Sequence, residues 1–173
     1  MKERPILFST EMVKAILDGR KTMTRRVVKD PYKYITIPRP SPYGRVGDRL
    51  WVRETFVIDA DGMPDYRADC DSGVIAWRPS IFMPRKLSRI TLEITSVRVE
   101  RLQEITEEDA IKEGAGPGHI LCSPTIFNPE TETPKDYRTG FSYLWDAINR
   151  KTYPWESNPW VWVISFRLTG EGK

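Results

Sequence analysis

The amino-acid sequence predicts an α+β fold in which short strands and two or three short helices alternate with long loops. Residues 89–102 alternate between apolar and polar types, which is the period of a strand with one buried face. Residues 12–17 and 141–148 instead repeat apolar side chains at helical spacing. The 14 prolines and 11 glycines among 173 residues favour many turns and argue against a helical bundle.

The N-terminal segment predicts a strand followed by a helix. Residues 6–8 form a short apolar run, and Ser9 or Thr10 is a suitable N-cap for a helix whose first turn contains Glu11. The helix should end at Gly19, because glycine adopts the left-handed conformation without a clash of its Cβ. A second strand is expected to follow directly.

The middle of the chain predicts further strands between insertions. We expect an extended proline- and tyrosine-rich loop at 29–45, a strand at 50–57, a polar hairpin loop at 59–73, short strands at 75–77 and 81–83, and a long strand at 89–102. Thr106 resembles the start of a capping box, and the helix that it begins should end at Glu113. After it we expect a loop at 114–139, either a mobile flap or disordered, a helix at 141–148, and a buried strand at 160–166.

The stretch Gly19-Arg20-Lys21-Thr22-Met23-Thr24-Arg25-Arg26 is the strongest candidate for chemistry. A lysine among guanidinium groups is pushed toward its neutral form, and a neutral amine beside a threonine hydroxyl is a base beside a nucleophile. In a regular strand Lys21 and Thr24 would point to opposite faces. Their meeting therefore requires Lys21 to remain in the turn, or the strand to bulge. An ordinary basic surface loop is the competing interpretation.

Charge and composition restrict the partners. The net charge is +3, but residues 1–54 hold 13 Lys/Arg and 6 Asp/Glu, which leaves the remainder negative. A basic half fits an anionic partner such as RNA, and equally fits a solvated basic face. No run is apolar enough for a membrane span, and two cysteines make a disulfide framework unexpected, so we expect a cytoplasmic protein. His119, Cys122 and the distant Cys70 are too scattered for structural zinc, and we expect no metal.

Three segments together resemble the ASCH domain, a small β-barrel related to the RNA-binding PUA domain. They are Gly19-x-Lys21-x-x-x-x-Arg26, the strand-like residues 47–54, and the helix-like residues 105–114, in the order of the family. The resemblance implies one domain over residues 1–173, a mixed β-barrel with insertions at about 29–45, 59–85 and 114–139. Residues 77–85 are similar to longer ASCH proteins of phages and prophages.

The resemblance also implies an activity. In ASCH-type amidohydrolases that deacetylate N4-acetylcytidine, a lysine, a threonine and a glutamate form the active site, and these types match Lys21, Thr24 and Glu113. Lys21 would be the base, Thr24 the nucleophile, and Glu113 would orient the substrate or carry a proton to the leaving group. The substrate would be a modified nucleoside or RNA, and no cofactor is expected. Five further residues would contact the substrate, namely Arg20, Arg25, Arg26, Arg53 and Glu54.

Three alternatives remain beside this activity. The matching residues can be an ion pair and a hydroxyl that hold a helix to the barrel. The chain can be an RNA-binding module without catalysis. It can also be a ribonuclease, although His119 is the only histidine, so a mechanism that needs a histidine pair is excluded.

Overall fold

The computed structural model describes residues 1–29, 40–70, 76–116 and 136–169. The chain forms two compact units, a first unit of Met1–Gly19, Pro40–Ser96 and Ser165–Lys173 and a second unit of Arg20–Arg39 and Val97–Ile164. The helices are α1 (Thr10–Leu17), α2 (Glu107–Lys112) and α3 (Tyr137–Asn149). The strands are β1 (Glu3–Leu7), β2 (Met23–Val27), β3 (Arg49–Arg53), β4 (Phe56–Ile58), β5 (Pro64–Tyr66), β6 (Thr91–Arg101) and β7 (Trp160–Leu168).

The predicted α+β class is confirmed, and the main sheet is mixed. Its strand order is β1-β3-β6-β7-β2, with β1 parallel and β6 antiparallel to β3. The antiparallel hairpin of β4 and β5 forms a second, two-stranded sheet. Within the described ranges the five strands form an open series, not the barrel that the ASCH resemblance implies.

The first unit contains the predicted strand and helix near the N-terminus. The Ser9 side chain caps α1 by accepting a hydrogen bond from the Met12 amide, and Val13, Ala15 and Ile16 are buried. Leu17 is 42% exposed, although its spacing suggested the core. The helix ends as predicted, because Gly19 follows it with a φ of +72°.

The first unit also differs from the prediction in two places. The strand expected at 50–57 is divided into β3 and β4. The strand expected at 81–83 is wrong, because Ser80–Phe82 forms a 3-10 helix between Pro79 and Pro84. Prolines lack the amide donor that a ladder needs, which explains why the strand does not form there. Most of the strand expected at 75–77 is not formed, and residues 71–75 lie outside the described residues.

The second unit has its own apolar core. The core combines residues of β2, β7, α2 and α3 with the segments after β6 and after α2, namely Met23, Leu102, Ile105, Ala110, Ala115, Phe141, Trp145, Val161 and Val163. Strand β7 is buried at four consecutive positions, 161–164, as its apolar run predicted. Helix α3 begins earlier than predicted, after its N-cap Asp136, and Ile148, at the end of the apolar repeat, is 56% exposed. The flap predicted at 114–139 lies largely outside the described part, as do His119 and Cys122.

The described helices include none long and apolar enough to cross a membrane.

Candidate functional site

Lys21 lies in the segment that leads into β2, before the strand begins at Met23. The amide of Thr22 donates to the carbonyl of Lys112 at 2.8 Å and so ties this segment to the end of α2. Of the two arrangements that the sequence left open, the structure has the one in which Lys21 remains outside the strand. Lys21 is therefore not subject to the alternation that governs Thr24 within β2.

The ammonium group of Lys21 is surrounded by acceptors. Lys21 Nζ donates to the Met23 carbonyl at 2.7 Å, to the Glu113 carbonyl at 2.8 Å and to Glu113 Oε2 at 2.7 Å. A protonated lysine has three N–H donors and no acceptor, so these oxygens match the charged form. The residue is only 2% exposed. The contacts thus hold a buried ammonium ion at the end of α2.

Glu113 is presented by the C-terminus of α2. The helix begins after Thr106, whose side chain accepts a hydrogen bond from the Asp109 amide, and Glu113 is its C-cap. The carboxylate of Glu113 is 4% exposed and bridges two cations, Lys21 through Oε2 at 2.7 Å and Arg25 through Oε1 at 3.2 Å. Lys21 also satisfies a helix-end carbonyl, which has no partner within the helix.

Arg25 is buried at the centre of a group of carboxylates. It is 5% exposed, although it was predicted to contact RNA. Its guanidinium donates to Glu100 Oε1 through both Nε and Nη2, and Nη2 also lies 2.9 Å from Asp109 Oδ2. Its Cζ atom lies 5.8 Å from the centre of the Phe141 ring. This burial does not suit direct contact with a phosphate, because every one of these ion pairs would have to break.

The protonation of Lys21 is set by opposing effects. Burial lowers the pKa of Lys21, because a charged group loses its hydration, and Glu113 opposes this shift as a carboxylate. Arg26 and Arg25 lower the pKa further as neighbouring cations. The net pKa lies below the ordinary value of a lysine. For Arg25, burial lowers the pKa, but the carboxylates outweigh it and the net shift is upward.

The remaining predicted residues of the second unit differ in exposure. Thr24 is 2% exposed within β2, so the second unit buries each of the three predicted residues, and the contacts join Lys21 to Glu113. Arg20 is exposed, and Arg26 is half-buried. Of the three predicted phosphate contacts in this segment, Arg20 is the one whose exposure suits that role.

Arg53 and Glu54 belong to the first unit. Arg53 donates to the Ile81 carbonyl, and its Cζ atom lies 5.6 Å from the Trp51 ring centre. Glu54 is 1% exposed and its carboxylate accepts two hydrogen bonds from Arg89, at 3.0 and 3.1 Å. Burial raises the pKa of Glu54, and Arg89 opposes that shift. Glu54 thus has an internal partner, which the predicted role in substrate binding did not anticipate.

Several residues of the ion network were not predicted. Glu100 on β6 and Asp109 in α2 are partners of Arg25, and Arg98 also pairs with both carboxylates. The sequence offered one signal, the Thr106-x-x-Asp109 pattern, which was interpreted only as a helix cap. Across the described ranges, no cluster of three or more histidine, cysteine or acidic residues could hold a metal ion.

Comparison with known proteins shows remote structural likeness. No protein-family model and no curated protein matches the chain. An ASCH domain from Lactobacillus crispatus JV V101 is 15% identical, with a TM-score of 0.48, and the alignment covers 96% of this chain and 79% of that domain. A DUF984-type protein from Enterococcus faecalis V583 is 13% identical over 90% of this chain and 65% of its own, with a TM-score of 0.40. A hypothetical protein is 12% identical over 98% of this chain and 100% of its own, with a TM-score of 0.43. These identities are too low to transfer residues, so the candidate site stands on the contacts of this chain.

Proposed function

We propose that the chain is an amidohydrolase that removes the acyl group from N4-acylated cytidine, either as the nucleoside or within RNA. One observation carries the proposal. Lys21 Nζ and Glu113 Oε2, 92 residues apart in sequence, lie 2.7 Å apart with both residues buried. The types and positions are those that the ASCH resemblance implies for a catalytic lysine and glutamate. Thr24, from the same motif, is buried in the same unit and supplies the hydroxyl.

The contact between Lys21 and Glu113 provides a route for the proton. With three acceptors around Nζ, Lys21 rests as an ammonium ion and has no lone pair to act as a base. Transfer of one proton across the 2.7 Å contact to Glu113 Oε2 leaves a neutral amine and a neutral carboxylic acid. Burial favours this uncharged pair, since both charged forms lose hydration. When Glu113 then releases this proton to solvent, Lys21 remains neutral and can act as the base, and the pair holds one proton fewer than at rest.

The reaction follows in two steps. In the first, Thr24 Oγ1 attacks the acyl carbonyl and passes its proton to Lys21 Nζ, while the bond from the acyl carbon to N4 breaks. Glu113 relays that proton from Lys21 to the departing N4 amine. In the second step water hydrolyses the threonine ester, and the products are cytidine and the carboxylic acid. Because Thr24 is only 2% exposed, substrate entry must uncover this hydroxyl.

The test uses a panel of N4-acylcytidines and short RNAs that carry N4-acetylcytidine. We expect the wild type to release the free acid, with a rate that rises with pH through the lowered pKa of Lys21. Lys21→Arg keeps the charge but cannot deprotonate in this range, so it should abolish turnover. Thr24→Ala should abolish turnover and retain substrate binding.

Two matched variants control for nonspecific damage. Thr22→Ala removes an exposed hydroxyl two residues before Thr24, and Lys29→Arg makes the Lys21 substitution at an exposed lysine. Both should retain wild-type activity. Full activity in Lys21→Arg, measured on a substrate that the wild type hydrolyses, would remove Lys21 as the base. An inactive wild type across the whole panel would contradict the proposed activity itself.

A second candidate function is RNA binding without catalysis. It is favoured by the complete set of acceptors around Lys21, since an ammonium that caps α2 needs no catalytic role. In that case the exposed Arg20 and Lys29 are better phosphate contacts than the buried Arg25. Arg20→Ala and Lys29→Ala should each weaken RNA binding and flatten its salt dependence. With one phosphate contact fewer, the binding event releases fewer counterions. Binding that is absent, or independent of salt, would eliminate this candidate.

A further inference from the structure

Arg25 connects the Lys21–Glu113 pair to a second group of carboxylates. Its Nη1 atom lies 3.2 Å from Glu113 Oε1, and its Nε and Nη2 atoms lie 3.1 and 2.5 Å from Glu100 Oε1. The Nη2 atom also lies 2.9 Å from Asp109 Oδ2. A guanidinium is planar and rigid, so a contact at one edge fixes where its other donors point. The position of Arg25 is therefore determined by Glu100 and Asp109, and its Nη1 donor then determines the position of Glu113 Oε1.

Each oxygen of the Glu113 carboxylate has its own cation. Oε1 accepts from Arg25, and Oε2 accepts from Lys21. A half-turn of the carboxylate would restore both contacts, because its two oxygens are equivalent, but a smaller rotation would weaken both. Arg25 thus presents Oε2 to Lys21 Nζ at the distance that proton transfer requires. The ring of Phe141 lies against the guanidinium and limits its movement.

The geometry points to Arg25 as a positioning residue that orients Glu113 toward Lys21 and places a positive charge beside the pair. The inference rests on the proposed amidohydrolase function for its catalytic meaning. Arg25 is not a catalytic residue, since its donors are occupied by Glu113, Glu100 and Asp109. Its role differs from the predicted contact with RNA, which would require exposure.

The charged groups around the pair come from three elements. Arg25 and Arg26 lie on β2, Arg98 and Glu100 on β6, and Asp109 belongs to α2, as does Glu113 at its end. Among the contacts of the described residues, Arg98 shares Glu100 and Asp109 with Arg25 but does not reach Glu113. Arg98→Gln is therefore a matched control for Arg25→Gln. Both variants remove a cation from the same carboxylates, and Arg25→Gln alone also removes the partner of Glu113.

The first experiment compares the pH dependence of hydrolysis in the two variants. Loss of the Arg25 charge favours the protonated form of Lys21, because Arg25 lowers the pKa of Lys21 as a neighbouring cation. In Arg25→Gln the rising limb of kcat should therefore move to higher pH. Arg98→Gln should keep the wild-type limb. Equal limbs in wild type and Arg25→Gln would overturn the inference.

A third variant separates charge from orientation. Arg25→Lys keeps a positive charge but has no fork that can reach Glu113 and Glu100 together. The limb should return toward the wild-type position while kcat stays at least tenfold below it. If Arg25→Lys has wild-type kcat, orientation by the guanidinium is not needed and that part of the inference is wrong.

The second experiment needs no substrate. The titration of the Lys21 amine is followed by nitrogen NMR, with Lys21→Arg used to assign its signal. Its pKa should rise in Arg25→Gln, because Arg25 lowers it as a neighbouring cation, and remain unchanged in Arg98→Gln. This readout distinguishes the two failures: a wild type that hydrolyses no acylcytidine contradicts the proposed function, whereas an unshifted Lys21 contradicts the role of Arg25. If Arg25→Gln does not fold, its combination with Asp109→Asn removes one carboxylate that has lost a cation, and the same shift is expected there.

Discussion

The substitution Glu113→Gln tests whether Lys21 is a buried ammonium ion that depends on one carboxylate. Glutamine has nearly the same shape as glutamate, so the substitution removes a charge without creating a cavity. Lys21 would keep the Met23 and Glu113 backbone carbonyls, which are neutral acceptors. Its side chain has 0% exposure, so water cannot replace the lost carboxylate. A buried charge without a counter-ion is strongly unfavourable, and the native protein can relieve it by releasing the proton.

The cost of that release sets the size of the effect. An ordinary lysine has a pKa of 10.5. Holding it neutral in the native state at pH 7 costs about 5 kcal/mol, and at pH 9 about 2 kcal/mol, because each pKa unit corresponds to about 1.4 kcal/mol. Breaking a buried pair by removing one partner typically costs about 3–5 kcal/mol, in agreement with this limit. Below pH 10.5 the unfolded state binds more protons than the native variant, so its stability rises with pH.

The assay is urea denaturation of wild type and variant at pH 7 and pH 9. The free energy of unfolding of Glu113→Gln should be lower by about 3–5 kcal/mol at pH 7, and the difference should shrink by up to about 3 kcal/mol at pH 9. The double variant Lys21→Met/Glu113→Gln has no titrating amine and should show no such recovery. A penalty under about 1 kcal/mol, or one that is the same at both pH values, would refute the burial of an ammonium ion at Lys21.

Three further predictions concern the frame of the site. Gly44→Ala should destabilise the first unit more than Gly19→Ala, as measured by denaturation of both variants. Both glycines have a positive φ, but a Cβ added at Gly44 would meet Asp48 atoms at 3.1 Å, whereas one at Gly19 would meet nothing within 4 Å. Thr106→Ala should cost about 1 kcal/mol in the same assay through loss of the α2 cap. Burial raises the pKa of Asp109, but Arg25 and Arg98 outweigh it and hold that pKa below its ordinary value, so Asp109 contributes stability that is lost as the pH falls below about 4. Asp109→Asn should therefore flatten the acid limb of a stability–pH curve, and an unchanged limb would contradict this.

Local signals in the sequence predicted much of the frame. Helix ends depend on residues that are neighbours in the chain, so they can be predicted without knowledge of the fold. This holds for the cap at Ser9, the helix end at Gly19 and the start of α2 at Thr106. The alternation at 89–102 and the continuous apolar run at 160–166 likewise identified β6 and β7. The same local rules wrongly predicted a strand at 81–83, where flanking prolines prevent the hydrogen-bonded pairing of a β-ladder.

The burial of Arg25 could not be predicted in this way. Its three carboxylate partners lie 75, 84 and 88 residues away, at Glu100, Asp109 and Glu113. In the sequence, Arg25 is one arginine of a basic stretch, and its neighbour Arg26 has the same residue types around it. Nothing local therefore distinguishes the two arginines. Only the pairing of β2 with the sheet and the packing of α2 and α3 on the core of the second unit decide which of the two is enclosed.

The charge asymmetry of the chain has a different meaning once these pairs are known. The excess of positive charge in residues 1–54 suggested a surface for an anionic partner. Two of those cations, Lys21 and Arg25, are instead compensated inside the second unit by carboxylates from the acidic part of the chain. Part of the asymmetry is therefore the consequence of pairing distant segments within the fold. Under the proposed function, the exposed remainder, which includes Arg20 and Lys29, would attract a phosphate-bearing substrate, and the buried pairs would govern proton transfer.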